Sequence, residues 1–242
     1  MRLAGERSAL AAAVLAFYGF LFLLVTLSSP PGWATCFGSL GGLYALGFFA
    51  LVAGYFWARW YAIGLGMSGF ISAAFSMWQM GPEPILLFYG GTHVFISLVL
   101  WGESVASRFD GQTSWRARFH LDENGVNRLG KAIIRAGISL PYIVMYALAP
   151  KQPGGADLLA LAALGLAGSG LWAVIKMRTW GVVALTGSAV ALGASLGGTS
   201  SIAIAAPHGL EIVVFGIVGA GLIALAAVPF LAPMVRFVRH GR

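Results

Sequence analysis

Eight apolar stretches, each close to the length of a bilayer crossing, constrain this chain more than any motif within it. They run from about Ser8 to Leu27, Phe37 to Trp57, Tyr61 to Met80, Ile85 to Ala106, Ala132 to Ala149, Leu158 to Ile175, Gly181 to Leu196 and Gly209 to Met234. About 20 apolar residues at 1.5 Å rise cross roughly 30 Å of hydrocarbon. The fifth and seventh stretches are short. The eighth carries Pro229 and Pro233, which predict a kink or an end.

Composition excludes the alternatives. Of 242 residues, 59% are hydrophobic and 10% charged, against about 45–50% and 25% in a soluble domain. Mean hydropathy is +0.85. Too few polar side chains remain to cover a water-facing surface, so the expected fold class is all-α, a polytopic transmembrane bundle of about eight helices. The first stretch opens on Arg2 and Arg7 like a signal peptide. Its apolar run is too long for one, and no small-x-small cleavage site follows, so it reads as a retained anchor.

The formal net charge of +7 concerns topology rather than nucleic acid. With the N-terminus inside, Arg2, Arg7, Arg59, Arg108, Arg116, Arg118, Arg128, Lys131, Arg135, Lys176, Arg178, Arg236, Arg239 and Arg242 all fall on the inner side. Lys151 alone of the 15 Lys and Arg residues falls outside. Lys and Arg hold cytoplasmic loops against translocation, so both termini are expected inside, in a bacterial cytoplasmic membrane. Cys36 is the single cysteine; it excludes an internal disulfide or CxxC site and reads as a small buried apolar residue.

Residues 59–76 (RWYAIGLGMSGFISAAFS) and 178–195 (RTWGVVALTGSAVALGAS) resemble one another at an offset of 119. Arg59 meets Arg178, Tyr61 meets Trp180, and the stripe Ser68–Ser72–Ser76 meets Gly187–Ala191–Ser195. A parallel repeat of four plus four helices would follow, with an axis along the membrane normal. The division is then 1–107, a basic amphipathic loop at 108–131, and 132–242. Small residues at every fourth position let helix backbones approach where lipid supplies no hydrophobic drive. Gly38–Gly42, Gly165–Ser169 and Gly193–Gly197 have the same spacing.

Ionisable groups inside a bilayer are functional candidates by default. Four qualify: His93, Glu103, His208 and Glu211. They admit three readings. Glu103 can pair with a basic residue such as Arg108 while the histidines bond backbone or hydroxyls. His208, Glu211 and His93 can hold a proton or cation on a transport path. His93 and His208 can serve as axial ligands of a haem or chlorin; no cofactor is otherwise required.

Catalytic motifs fail on inspection. GGTH and HGLE lack HExxH spacing, and no GxSxG elbow, Walker loop or dinucleotide fingerprint occurs. LDENGVN has the wrong glycine position for a calcium loop, and Asp122 reads better as the N-cap of a helix entering the fifth span. In the loop, Trp115, Arg116, Arg118 and Phe119 interleave aromatic and basic character, as segments at a lipid headgroup boundary or a partner surface do. The expected role is a non-catalytic scaffold, lipid-contacting or cofactor-holding subunit of a membrane assembly, in contact with lipids and with other subunits or copies of itself. A small-solute or proton-coupled transporter is the alternative.

Overall fold

The computed structural model describes residues 2–109, 111–118, 122–150, 157–203 and 209–240. Among these the chain is helical, in the order α1 (Arg2–Ser28), α2 (Pro31–Ala53), α3 (Ala58–Met80), α4 (Pro84–Leu100), α5 (Glu103–Ala106), α6 (Thr113–Arg118), α7 (Glu123–Leu148), α8 (Leu158–Ile175), α9 (Trp180–Ala203) and α10 (Gly209–His240). Seven are long and apolar enough to cross a membrane, and α4 is a shorter apolar helix of 17 residues. The protein is thus a polytopic helical bundle whose outer side chains meet lipid. On α1, for example, Phe20 is 61% and Leu27 78% exposed.

Local chemistry sets the helix starts. Proline occupies the first helical position of α2 and α4, where its missing N–H is no loss. Asp122 caps α7 by accepting from the Gly125 N–H at 2.6 Å, and Asp157 caps α8 through Ala160 at 3.0 Å.

Helix ends differ from expectation at several places, among them the starts of α1 and α2 and the end of α9, and two of the differences involve arginines. The fourth stretch does not continue to Ala106; it stops at Leu100, and Gly102 at φ +110° turns the chain into the separate α5. The carbonyls freed at that end are taken by arginines. Arg7 donates to Leu98 O at 3.2 Å and Trp101 O at 2.5 Å, and Arg59 donates to Leu100 O at 2.8 Å. The eighth stretch does not end at its prolines, because α10 runs through both to His240. Pro229 has no N–H to give Leu225 O four residues earlier, and Arg135 of α7 supplies a donor there at 2.7 Å.

The spans form two rings of four. In the first, α1, α2, α3 and α4 pack in succession and α4 returns to α1; in the second, α7, α8, α9 and α10 do the same, with α10 returning to α7. The rings meet where α3 and α2 pack on α7. A two-fold axis between the halves would set α9 on α1 as α3 is set on α7, whereas the principal neighbours of α9 are α8 and α10.

Glycine decides the closest approaches. A Cβ on Gly64 of α3 would stand 2.6 Å from Ile134 O and 2.9 Å from the Gly137 Cα of α7. One on Gly181 of α9 would stand 2.7 Å from Gly170 O of α8. The contacts of Arg7, Arg59 and Arg135, together with a 3.0 Å bond from Arg108 to the Ser8 hydroxyl, lie at one end of the bundle, the basic end.

Candidate functional site

The first ring encloses His93 of α4, which is 0% exposed. Its Nδ1 lies 2.7 Å from Tyr89 O and its Nε2 2.7 Å from the Tyr44 hydroxyl of α2. A carbonyl only accepts, so Nδ1 carries a proton, and in the neutral ring Nε2 accepts from Tyr44. The ring is flanked by Tyr89 and Tyr18 at centroid separations of 4.2 and 4.4 Å. Its other side rests on α3 at Gly69, where a Cβ would overlap the imidazole. Thr92, next along α4, donates to the preceding turn at 2.9 Å and accepts from Tyr18 of α1 at 2.6 Å. Helices α1, α2, α3 and α4 therefore converge on one fully bonded imidazole.

A second set of hydroxyls follows α7. Tyr142 faces the first ring: its hydroxyl donates to Ser68 O at 2.9 Å and accepts from Ser72 at 3.2 Å. Tyr146, one turn on, faces the second ring and lies 2.7 Å from the Ser195 hydroxyl of α9. Ser195 in turn donates to the carboxylate of Asp157. A carboxylate only accepts, so the polarity runs from Tyr146 through Ser195 to Asp157. Among the described residues every buried side-chain nitrogen or oxygen has a partner.

The residues singled out from sequence are dispersed. Glu103 lies outside the spans, exposed in the first turn of α5, and Arg108 bonds Ser8 rather than Glu103. Ser68 and Ser72 face α7, and Ser76 is half-buried near the end of α3. Gly187 and Ala191, their counterparts on α9, line an open surface groove, while Ser195 is buried. Trp115 does not lie on the membrane surface as the loop composition predicts. It is 7% exposed, stacked 4.2 Å from Phe56 and edge-on to Trp60, because these apolar rings have a buried slot under the loop to fill. Arg116 lies 5.9 Å from the Trp115 ring centroid. His208 and Phe119, and the side chains of Arg118 and Glu211, lie outside the described residues.

Sequence reading missed the tyrosines. Their signal was position: Tyr18, Tyr44, Tyr89, Tyr142 and Tyr146 sit within apolar stretches, whereas tyrosine in membrane helices concentrates at the water interfaces. A haem or chlorin would need the Nε2 of His93 as its ligand, and taking it requires displacing the Tyr44 hydroxyl. The described residues contain no group of three or more His, Cys, Asp or Glu able to hold a metal ion. Compared with protein-family models, with curated proteins and with solved structures, the chain matches none.

Proposed function

We propose that this protein is a non-catalytic helical subunit of a larger membrane assembly, built to hold a shape in the bilayer. One observation carries the reading. Among the described residues the histidine within the spans is His93, a group suited to move a proton, and it has both nitrogens bonded and is wedged against Gly69. An ion path needs a group that exchanges partners, and this one ties four helices together.

The outer surface supplies what assembly needs. Cβ atoms placed on Gly165 and Gly168 of α8 would meet nothing within 4 Å, so these glycines do no packing work among the described residues. They suit the backbone of another helix. By the distribution of Lys and Arg, the basic end faces the cytoplasm of a bacterial inner membrane.

The test is purification from the native membrane in gentle detergent, with masses measured for everything retained. Stoichiometric partners that are lost in Gly165→Ile/Gly168→Ile, while helical content is kept, support the reading. A lone monomer or homodimer overturns it.

One observation favours the transporter alternative. The directed chain from Tyr146 through Ser195 to Asp157 lies at the end of the second ring where α10 begins, and Glu211 belongs to the first turn of α10. On that reading Asp157→Asn and Glu211→Ala abolish flux in proteoliposomes and leave the fold intact. On the scaffold reading both variants still assemble with their partners.

A further inference from the structure

We infer that α9 carries a binding site for an anionic phospholipid, with one acyl chain lying along the helix and the headgroup at the turn between α8 and α9. A groove of about 600 Å3, open to the lipid-facing surface, follows α9 from Val182 to Ala194, bordered by Leu159 of α8 and Leu231 of α10. It exists because Gly187 and Ala191 withdraw from the surface while Val190, 68% exposed, stands out beside them. The one hydroxyl in its lining, that of Thr186, is turned back to Val182 O at 2.9 Å. The groove therefore offers no polar side-chain group, and an aliphatic chain is the occupant that loses nothing there.

Length and charge select a lipid over a second helix. The twelve helical steps from Val182 to Ala194 rise about 18 Å, close to the roughly 15 Å of hydrocarbon in one leaflet. The groove begins one turn beyond Arg178 and six residues beyond Lys176, at the basic end. Arg7, Arg59 and Arg135 at that end each cap a helix carbonyl. Arg178 is exposed, its guanidinium bonded to no described residue, and Lys176 rests with its ammonium 4.8 Å over Trp172. Trp172 and Trp180, 57% and 45% exposed, flank this turn as aromatic residues do at headgroup level. Two available cations at the mouth of a leaflet-long apolar groove are complementary to a phosphate-bearing headgroup with a net negative charge. The site suits a scaffold and a transporter alike.

The experiment is native mass spectrometry of the full chain in detergent, titrated with phosphatidylglycerol and with phosphatidylcholine of the same acyl chains. The wild type is expected to retain one phosphatidylglycerol with a preference of about thirtyfold, from two interfacial cations. Lys176→Gln/Arg178→Gln, both exposed, should equalise the two lipids. Ala191→Phe fills the groove and should lower retention of both; if it also lowers the melting temperature, the double surface variant decides alone. A phosphatidylglycerol preference that survives the double variant overturns the site. So does a dimer that Ala191→Phe dissolves while lipid retention is unchanged, since the groove then holds a second copy.

Discussion

His93 and Gly69 occupy one space: the imidazole of α4 lies where any side chain on Gly69 of α3 would have to be. The two helices can approach as closely as they do only because one of them has no Cβ at that level, and the same approach buries the histidine against its tyrosine neighbours. Gly69→Ala is therefore expected to destabilise the protein by about 1–3 kcal/mol, the usual range for a methyl forced into a filled site. In a His93→Ala background the added methyl has room. The two substitutions together should cost less than their sum by about 0.5–3 kcal/mol in unfolding of the reconstituted protein.

Removing the Tyr44 hydroxyl isolates Nε2 of His93 in a buried site. Tyr44→Phe is expected to lose about 0.6–2 kcal/mol, between the mean for interhelical bonds in membranes and the loss from an orphaned buried acceptor. Nitrogen-15 spectra of the wild type should show His93 neutral with its proton on Nδ1. A proton on Nε2 instead would contradict the assigned direction of the Tyr44 bond.

The eight stretches were legible because hydropathy and length report directly on lipid. So was the cap at Asp122, whose side-chain chemistry is local. Contacts that depend on which helices are neighbours were not. Ser68 and Gly187 stand at matched positions in two similar segments, yet one faces α7 and the other an open groove. Nothing within either segment distinguishes them, because the difference lies in where α7 runs. Trp115 failed for the same reason, since its slot is formed by Phe56 and Trp60 from a distant part of the chain.

Arg135 compensates for a proline on another helix. Arg135→Met should lower stability by about 1 kcal/mol, the net worth of one such hydrogen bond. Pro229→Ala restores an N–H four residues beyond Leu225, so in that background the arginine should be nearly dispensable. Equal losses from Arg135→Met in both backgrounds would mean that its charge, rather than the Leu225 carbonyl, is what α7 needs.

Gly54 and Gly64 separate two uses of glycine. Gly54 ends α2 at φ +71° with open space around its Cβ position, so Gly54→Ala is expected to cost about 1–2 kcal/mol through backbone conformation alone. Gly64→Ala drives a methyl into backbone atoms of α7, which cannot swing aside as a side chain can. It should lower the melting temperature by more than Gly54→Ala, and hydrogen exchange should rise along the contact of α3 with α7.

The closing of each ring by its own last helix bears on how the protein is made. α4 returns to α1 and α3, so the first ring is complete in residues the ribosome has already delivered before α7 emerges. It waits in the bilayer with the Gly64 face of α3 uncovered, and α7 is the first helix of the second half to reach it. The order of synthesis is then also the order of docking, with one glycine-lined face of α3 held open for α7.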